Sequence, residues 1–480
     1  MLSAEPSQAP PAAAPPEPVA ALDAGWRADP VLRAALVAGL LLRATPGLLW
    51  VADGCVRDEC TYIKLAARFA AGEGMTGSAG WIWAPGYPVL LGLAQLVFGV
   101  PHAIKPFQVV AGLVNVVLVY LLAARASEGS RRAARIAAWL YAISLHMAFF
   151  SVRLWSEVLY STLLLGALLL LLRAREAVGA PGAAWLRRAA AVGAMAGGAV
   201  LFRGVATYML PLLMVGLVWG RLGLRRAYLQ AGLVAALATA VVAPYSAYAT
   251  HKFGGFILSD RTMGQMMWLG NNDFEPITFD YGNGQLSKRA FSRTKAKGRR
   301  PCGDKHDPLD RDRCQAEAGR RWIQAHPAEF LRRIPQRLAQ LTNPHSLLTR
   351  HLRWGKFKGM PQWLDELLIL GGALGSTLTM VGGAVGLAIR GKGAQSALFS
   401  SILLYHCAAI AALAGLSRYR VPLEPLLMVY AATLLADPAA AAAALRAQPY
   451  RIALLTVILA IGLPLVLAYL PSGWPWWGRW

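Results

Sequence analysis

Charged residues are scarce in this chain. Only 15% of its 480 residues are Asp, Glu, Lys or Arg, against about 25% in soluble domains. So few charges argue against a protein that presents a solvated surface on all sides. Acids are scarcer than bases, 25 against 48, which leaves a net charge of +23. Several catalytic signatures are missing as well. There is no Walker loop, no dinucleotide fingerprint and no HExxH helix, and no GxSxG elbow. ATP-driven transport and hydrolase chemistry therefore lack support. No nucleic-acid-binding module is visible and the basic residues are scattered over loops, so no nucleic acid is expected as a partner. No internal repeat stands out. Residues 1–29 lack the apolar run of a signal peptide and are rich in Pro and Ala, which predicts a disordered cytoplasmic tail.

What the chain has instead is apolar runs of membrane-spanning length: 56% of it is hydrophobic. Candidate spans fall near 31–51, 103–124, 133–150, 156–173, 188–203, 205–220, 227–249, 364–389, 395–415, 419–436 and 451–470. The ambiguous run is 86–99, GYPVLLGLAQLVFG. Basic clusters settle it. Arg125, Arg131, Arg132 and Arg135 form one, and Arg173, Arg175, Arg187 and Arg188 a second. Arg221, Arg225 and Arg226 form a third, and Arg390 with Lys392 a fourth. With all four on the cytoplasmic side, residues 86–99 become an interfacial or re-entrant helix. The sequence thus predicts an all-α polytopic membrane protein of about eleven transmembrane helices. Juxtamembrane helices occupy its first outer loop, 52–102, and a small outer-face domain spans 250–363. The spans of 30–249 form one module and residues 364–480 supply the C-terminal helices.

Four of the five cysteines, Cys55, Cys60, Cys302 and Cys314, fall on the predicted outer side, an oxidising compartment if they pair. Cys302 with Cys314 is the favoured bridge. Cys55 and Cys60 can pair only where the backbone between them is not regular helix.

The same side gathers the residues that can carry chemistry. Asp58 and Glu59 open an amphipathic stretch after the first span. Two readings stand: an acidic pair stabilising a helix N-terminus, or a general base at the water–lipid boundary. Successive helical residues differ by about 100° in direction, so both cannot face one site. Glu157 is either an ion-pair partner of Arg153, four residues earlier, or a second acid that fixes an acceptor or metal. Arg203 interrupts an apolar region and reads as a hairpin-tip charge or a phosphate ligand. Arg418 and Arg420 are phosphate ligands or interfacial snorkelling cations.

In order along the chain stand Asp58-Glu59-x-x-Tyr62, Pro85-Gly86-Tyr87-Pro88, Leu96-Val97-Phe98-Gly99, Ser156-Glu157 and Arg418-Tyr419-Arg420-Val421-Pro422. This series resembles the GT-C superfamily of membrane glycosyltransferases. It is similar in particular to bacterial relatives of the dolichyl-phosphate-mannose protein mannosyltransferases and the aminoarabinose transferases. Asn271-Asn272 after Trp268-Leu269-Gly270 also resembles a turn of such proteins. Aminoarabinose transferases carry Lys-Pro-Pro where this chain has Ala84-Pro85-Gly86, and the soluble repeat domains of the eukaryotic mannosyltransferases are not visible.

The resemblance implies an enzyme of the cytoplasmic (inner) membrane with its site facing the periplasm. Such an enzyme moves a sugar from a polyprenyl-phosphate donor to a protein, lipid A or another envelope glycan or lipid. It implies Asp58 as catalytic base, with inversion at the anomeric carbon. Glu59, Tyr62, Tyr87, Glu157, Arg203, Arg418 and Arg420 are then the candidate substrate contacts. Membrane lipids are further partners. A divalent cation on Asp58 and Glu157 is compatible with the sequence, which does not require one. A secondary transporter or lipid flippase is the alternative reading.

Overall fold

The computed structural model describes residues 18–49, 54–56, 58–75, 82–179, 182–221, 223–273, 302–342, 346–353, 355–453 and 456. Among them no strand forms. One isolated antiparallel bridge joins Ile82 to Arg261, and everything else is helix or loop.

The helices in chain order begin with α1 (Val19–Gly25), α2 (Pro30–Leu49), α3 (Asp58–Ala70) and α4 (Gly86–Phe98). There follow α5 (Lys105–Ala126), α6 (Arg131–Ala142), α7 (Leu145–Val152), α8 (Glu157–Glu176), α9 (Ala184–Phe202), α10 (Leu210–Val218) and α11 (Arg225–Phe253). The region after α11 supplies α12 (Met263–Gly270), α13 (Pro308–Ala325), α14 (Pro327–Thr342) and α15 (Leu347–Arg353). Last come α16 (Gln362–Arg390), α17 (Gly393–Ala412), α18 (Glu424–Ala436) and α19 (Pro438–Ala447). In the bundle, α9 lies between α8 and α11, while α5 touches both α6 and α8. α18 packs on α16 and α6, and α2 on α5, α6 and α7.

The protein is a multi-pass helical membrane protein. Five helices are long and apolar enough to cross a bilayer, or seven if each of two bent pairs is one span. The expected count of about eleven is not reached among the described residues. Local chemistry explains much of the difference. The 133–150 run breaks into α6 and α7, bent by 53°, because Ser144 accepts from the Met147 N–H and restarts the helix. The 205–220 run opens as a 3-10 turn, Gly204–Met209, before the short α10. Beyond residue 456 the 451–470 run lies outside the described residues.

The 86–99 run forms α4, thirteen residues long, folded against α3. The two approach closely at Gly92, where a Cβ would meet the Phe69 ring at 2.5 Å and the Ala66 carbonyl at 3.1 Å. Residues 19–28, expected within the tail, are instead helical and docked. Leu22 is buried and Asp23 pairs with Arg125 and Arg173.

Charge divides the bundle into two ends. α8 runs from Glu157 to Glu176, twenty residues, or about 30 Å. At its C-terminal end the arginines hold one another's loops. Arg188 donates to the Arg173 carbonyl at 2.7 Å, Arg226 to Val178 at 3.2 Å and Arg175 to Trp219 at 3.0 Å. Asp23, Asp29 and Glu176 join as counter-ions. The N-terminal end of α8 carries the acids described next.

Inside the bundle, Arg43 of α2 is fully buried. It donates to the carbonyls of Gly39 at 3.0 Å, Ala142 at 2.9 Å and Tyr141 at 3.4 Å, and to Ser151 Oγ at 3.3 Å. It therefore satisfies the Ala142 carbonyl, which the break between α6 and α7 leaves without a helical partner, and joins the Ser144 N–H on the Tyr141 carbonyl. Replacing Arg43 with Met should lower stability by about 2–4 kcal/mol. Denaturant unfolding of the purified protein in detergent measures this, and an unchanged midpoint would remove the capping role.

Candidate active site

The site begins with a short segment pinned from several directions. Cys55 and Cys60 are joined by a disulfide, which is possible because α3 starts only at Asp58. In that first turn Glu59 is buried. Its carboxylate accepts from Arg153 Nε at 2.8 Å, from Arg153 Nη2, from the Val56 N–H at 3.0 Å and from the Leu154 N–H at 3.0 Å. All its lone-pair directions are used, and it faces inward. Arg153 is thus the partner of Glu59, not of Glu157. The four-residue spacing from Arg153 to Glu157 is not helical, because α7 ends at Val152 and α8 starts at Glu157.

Asp58, one residue earlier, faces another way. It pairs with Arg418, which comes from the 3-10 turn Ser417–Arg420. Both side chains keep partial exposure, 21% for Asp58 and 18% for Arg418. Burial works against the charge on Arg418, but Asp58, Tyr419 and Glu157 offset it and raise the guanidinium above its ordinary value. The same guanidinium lies over the Trp155 ring at 5.2 Å and the Tyr419 ring at 5.6 Å.

A second pair stands beside the first. Glu157, the first residue of α8, is 1% exposed and accepts from Arg203 Nη1 at 2.5 Å. Its other oxygen, Oε2, is buried without a hydrogen-bond partner. Arg203 caps the C-terminus of α9. Burial opposes its charge and Glu157 restores it, so its basicity is raised. Its guanidinium lies 5.9 Å from the Tyr160 ring centre and 5.7 Å from that of Tyr419. Tyr62, one turn along α3, is buried edge-on to Trp83 at 5.5 Å and Tyr87 at 4.9 Å. Burial raises its phenol first, and Glu157 and Asp58 add to the effect. Asp58, Tyr62, Glu157, Arg203 and Arg418 therefore share one electrostatic neighbourhood.

The remaining candidates lie around it. Tyr87 is fully buried and donates to Gln108 Oε1 at 2.7 Å. Arg420 turns inward to Glu424 at 2.7 Å. Glu424 also meets His146 Nδ1 at 3.0 Å and accepts from Ser376 at 2.7 Å. Cys302 and Cys314 are bonded in the region after α11. As for a metal, no group of three or more His, Cys, Asp or Glu residues is placed to hold one among the described residues. The carboxylates of Asp58 and Glu157 each face a guanidinium. This donor set suits an anion better than a cation.

Asp260 is the participant with no signal in the sequence. It lies between α11 and α12, beside the bridge from Ile82 to Arg261. Its carboxylate sits against Gly204, where a Cβ would collide with it. Burial pushes its carboxyl up to about 6, with the Gly204 N–H opposing and Asp312 adding to the rise. The loop after α11 is thereby attached directly next to Arg203.

Comparison with known proteins follows the same lines. Residues 83–248 match the family model described as dolichyl-phosphate-mannose-protein mannosyltransferase. A comparison with curated proteins finds no match. Among solved structures, the oligosaccharyltransferase of Archaeoglobus fulgidus, tethered to an acceptor peptide with an NVT sequon, superposes with a TM-score of 0.54 at 16% identity. The match covers 94% of this chain and 56% of that one, so this chain spans little more than half its length. The same archaeal enzyme, AglB, in complex with an inhibitory peptide and a dolichol-phosphate gives 0.52, also at 16% identity. ArnT from Cupriavidus metallidurans, bound to undecaprenyl phosphate, gives 0.40 at 14% identity, over 86% of this chain and 78% of that one. The archaeal superpositions establish a shared fold. With the family match, they make this chain similar to the GT-C membrane glycosyltransferases.

The adjacent acids should respond unequally to amide substitution. Glu59→Gln leaves Arg153 buried without its counter-ion and should cost about 3–5 kcal/mol. Asp58→Asn breaks a partly exposed pair and should change stability by about 1 kcal/mol or less. Unfolding of both variants in detergent decides between them, and equal losses would contradict the division. Asp260 supplies a pH test. Its folded-state pKa, about 6, lies above the ordinary aspartate value of 3.8, so the native state binds the proton more readily. Folding is therefore penalised above pH ~6, and the penalty is relieved as pH falls from ~6 to ~4. Asp260→Asn should flatten the stability profile in that window. A profile parallel to that of the native protein would exclude Asp260 as its source.

Proposed function

We propose that this protein is a glycosyltransferase that moves a sugar from a polyprenyl-phosphate donor to a hydroxyl or amine acceptor, with Asp58 as the general base. The observation that carries the reading is the convergence of two carboxylate–guanidinium pairs, Asp58–Arg418 and Glu157–Arg203. They come from four separate segments and meet at one end of an apolar bundle.

Each part has a physical task. Asp58 takes the proton of the acceptor as its oxygen or nitrogen bonds to the anomeric carbon. The bond from that carbon to the phosphate oxygen breaks, and the polyprenyl phosphate departs with the electron pair. A single in-line displacement inverts the anomeric centre. Negative charge grows on the departing phosphate, and Arg418 and Arg203 are the cations that answer it. As the phosphate engages Arg418, the Asp58 carboxylate loses its competing partner and is free to act as base. Glu157 Oε2, buried and unpartnered, is available to a hydroxyl of the sugar or acceptor.

The archaeal oligosaccharyltransferase that shares the fold is solved with a dolichol-phosphate, which supports a lipid-phosphate donor here. The arginine-rich end supports a cytoplasmic assignment for that end, with the acids then at the outer face of the cytoplasmic membrane. Acceptors of that compartment include protein side chains, lipid A and other envelope glycans or lipids.

The test is transfer by the purified full chain across a panel of polyprenyl-phosphate sugars. Asp58→Asn should reduce turnover by roughly 100-fold or more while the melting transition stays in place. Near-native turnover in that variant would end the base assignment. Movement of intact polyprenyl phosphate across proteoliposomes, with no transfer from any donor, would favour a flippase.

A further inference from the structure

A cavity lined by Glu59 and Ile63 of α3, but not by Asp58, lies beside the first turn of that helix. Its lining brings together His102, Lys105 and Arg153, with Glu59 as the sole acid among the described residues. We propose that this cavity binds the phosphate of an anionic phospholipid headgroup.

The charge count comes first. Glu59 spends both carboxylate oxygens on Arg153 and on the N–H groups of Val56 and Leu154. That acid neutralises Arg153 and has nothing left for the other two. Lys105 is half-buried, and its ammonium makes no hydrogen bond or ion pair among the described residues. His102 stands beside it on the 3-10 turn Pro101–Ile104 that leads into α5. Both are disfavoured as cations. Burial and then Lys105 act on His102, while burial and then Arg153 act on Lys105. An anion placed among the three relieves that repulsion and supplies the missing acceptor.

The surroundings say which anion. The segment that carries His102 and Lys105 also presents apolar side chains outward. Val97, Phe98, Val100 and Phe107 are 71%, 56%, 51% and 55% exposed. They flank the two cations in the chain on both sides and make a surface for acyl chains. A phosphate with hydrocarbon attached satisfies both features, whereas a free phosphate satisfies only one. The proposal does not depend on the transfer reaction, since Asp58 does not line the cavity.

Purified full-length protein in a neutral detergent, titrated with short-chain phosphatidylglycerol, short-chain phosphatidylcholine and inorganic phosphate, tests this by native mass spectrometry. Phosphatidylglycerol should bind roughly fivefold or more tightly than phosphatidylcholine. The double variant His102→Ala, Lys105→Ala should lose that preference. Lys105→Arg, which keeps the charge, should retain it and shows that loss in the double variant is not misfolding. Equal binding of the two lipids, or an unchanged preference in the double variant, would overturn the proposal. Inorganic phosphate binding as tightly as phosphatidylglycerol would assign the cavity to a free anion and overturn the lipid source.

Discussion

The buried ion pair between Glu59 and Arg153 determines which way α3 faces. Both side chains are nearly inaccessible, at 3% and 4% exposure. An unpaired charge in such a place would be severely penalised, so the pair cannot open without disturbing the fold. Helical neighbours point about 100° apart, so holding Glu59 inward leaves Asp58 only the direction of Arg418. The disulfide between Cys55 and Cys60 closes the same turn covalently. The candidate base is therefore aimed by its neighbour, and the two adjacent acids are not interchangeable.

The membrane sharpens this division of labour. Charges inside a bilayer are tolerated where they pair or reach water, and this chain uses both routes. At one end, arginines donate to loop carbonyls and to a few acids drawn from α1 and the turn before α2. At the other, the carboxylates of Asp58 and Glu157 each meet an arginine. Between the ends, Arg43 shows that even a mid-bundle cation can be structural when a helix break supplies carbonyls. The two ends are chemically different in kind: the first ties loops together, while the second leaves a carboxylate oxygen of Glu157 without a partner.

Much of this was legible in the sequence, for physical reasons that can be named. Low charge and long apolar runs announce a membrane bundle. The short 86–99 run with its Gly and Pro residues announces a helix below bilayer-spanning length, and it appears as the thirteen-residue α4. The breaks were harder to read. Ser144 caps α7 in the middle of an apolar run, and nothing in hydropathy marks a serine as a cap and not a passenger. The candidate residues were legible by type and position, but their partners were not. Arg153 stands four residues from Glu157 yet is held by Glu59, because the chain between α7 and α8 turns without forming helix. Asp260 carries no local pattern at all. It is placed by the long-range bridge between Ile82 and Arg261, which no single segment encodes. Leu22, Asp23 and Trp26 fold onto the bundle from a stretch whose composition suggests disorder, because a few apolar and acidic side chains suffice where an arginine cluster is waiting.

Arg418 and Arg420 repeat the logic of Asp58 and Glu59. Arg420 is 1% exposed and bound to Glu424, itself fully buried and held by His146 and Ser376. This network joins α7, α16 and α18 to the 3-10 turn, so the backbone that carries Arg418 is fixed from below. Arg418 keeps partial exposure and a single carboxylate partner. On each side of the Asp58–Arg418 contact, then, a buried residue holds the backbone while its near neighbour makes the contact. In the reaction proposed above, an incoming phosphate competes for Arg418 without disturbing either anchor, because the groups that must separate are not those that hold the fold. Anchoring and contact are thus assigned to different residues, and breaking the partly exposed pair costs the bundle little.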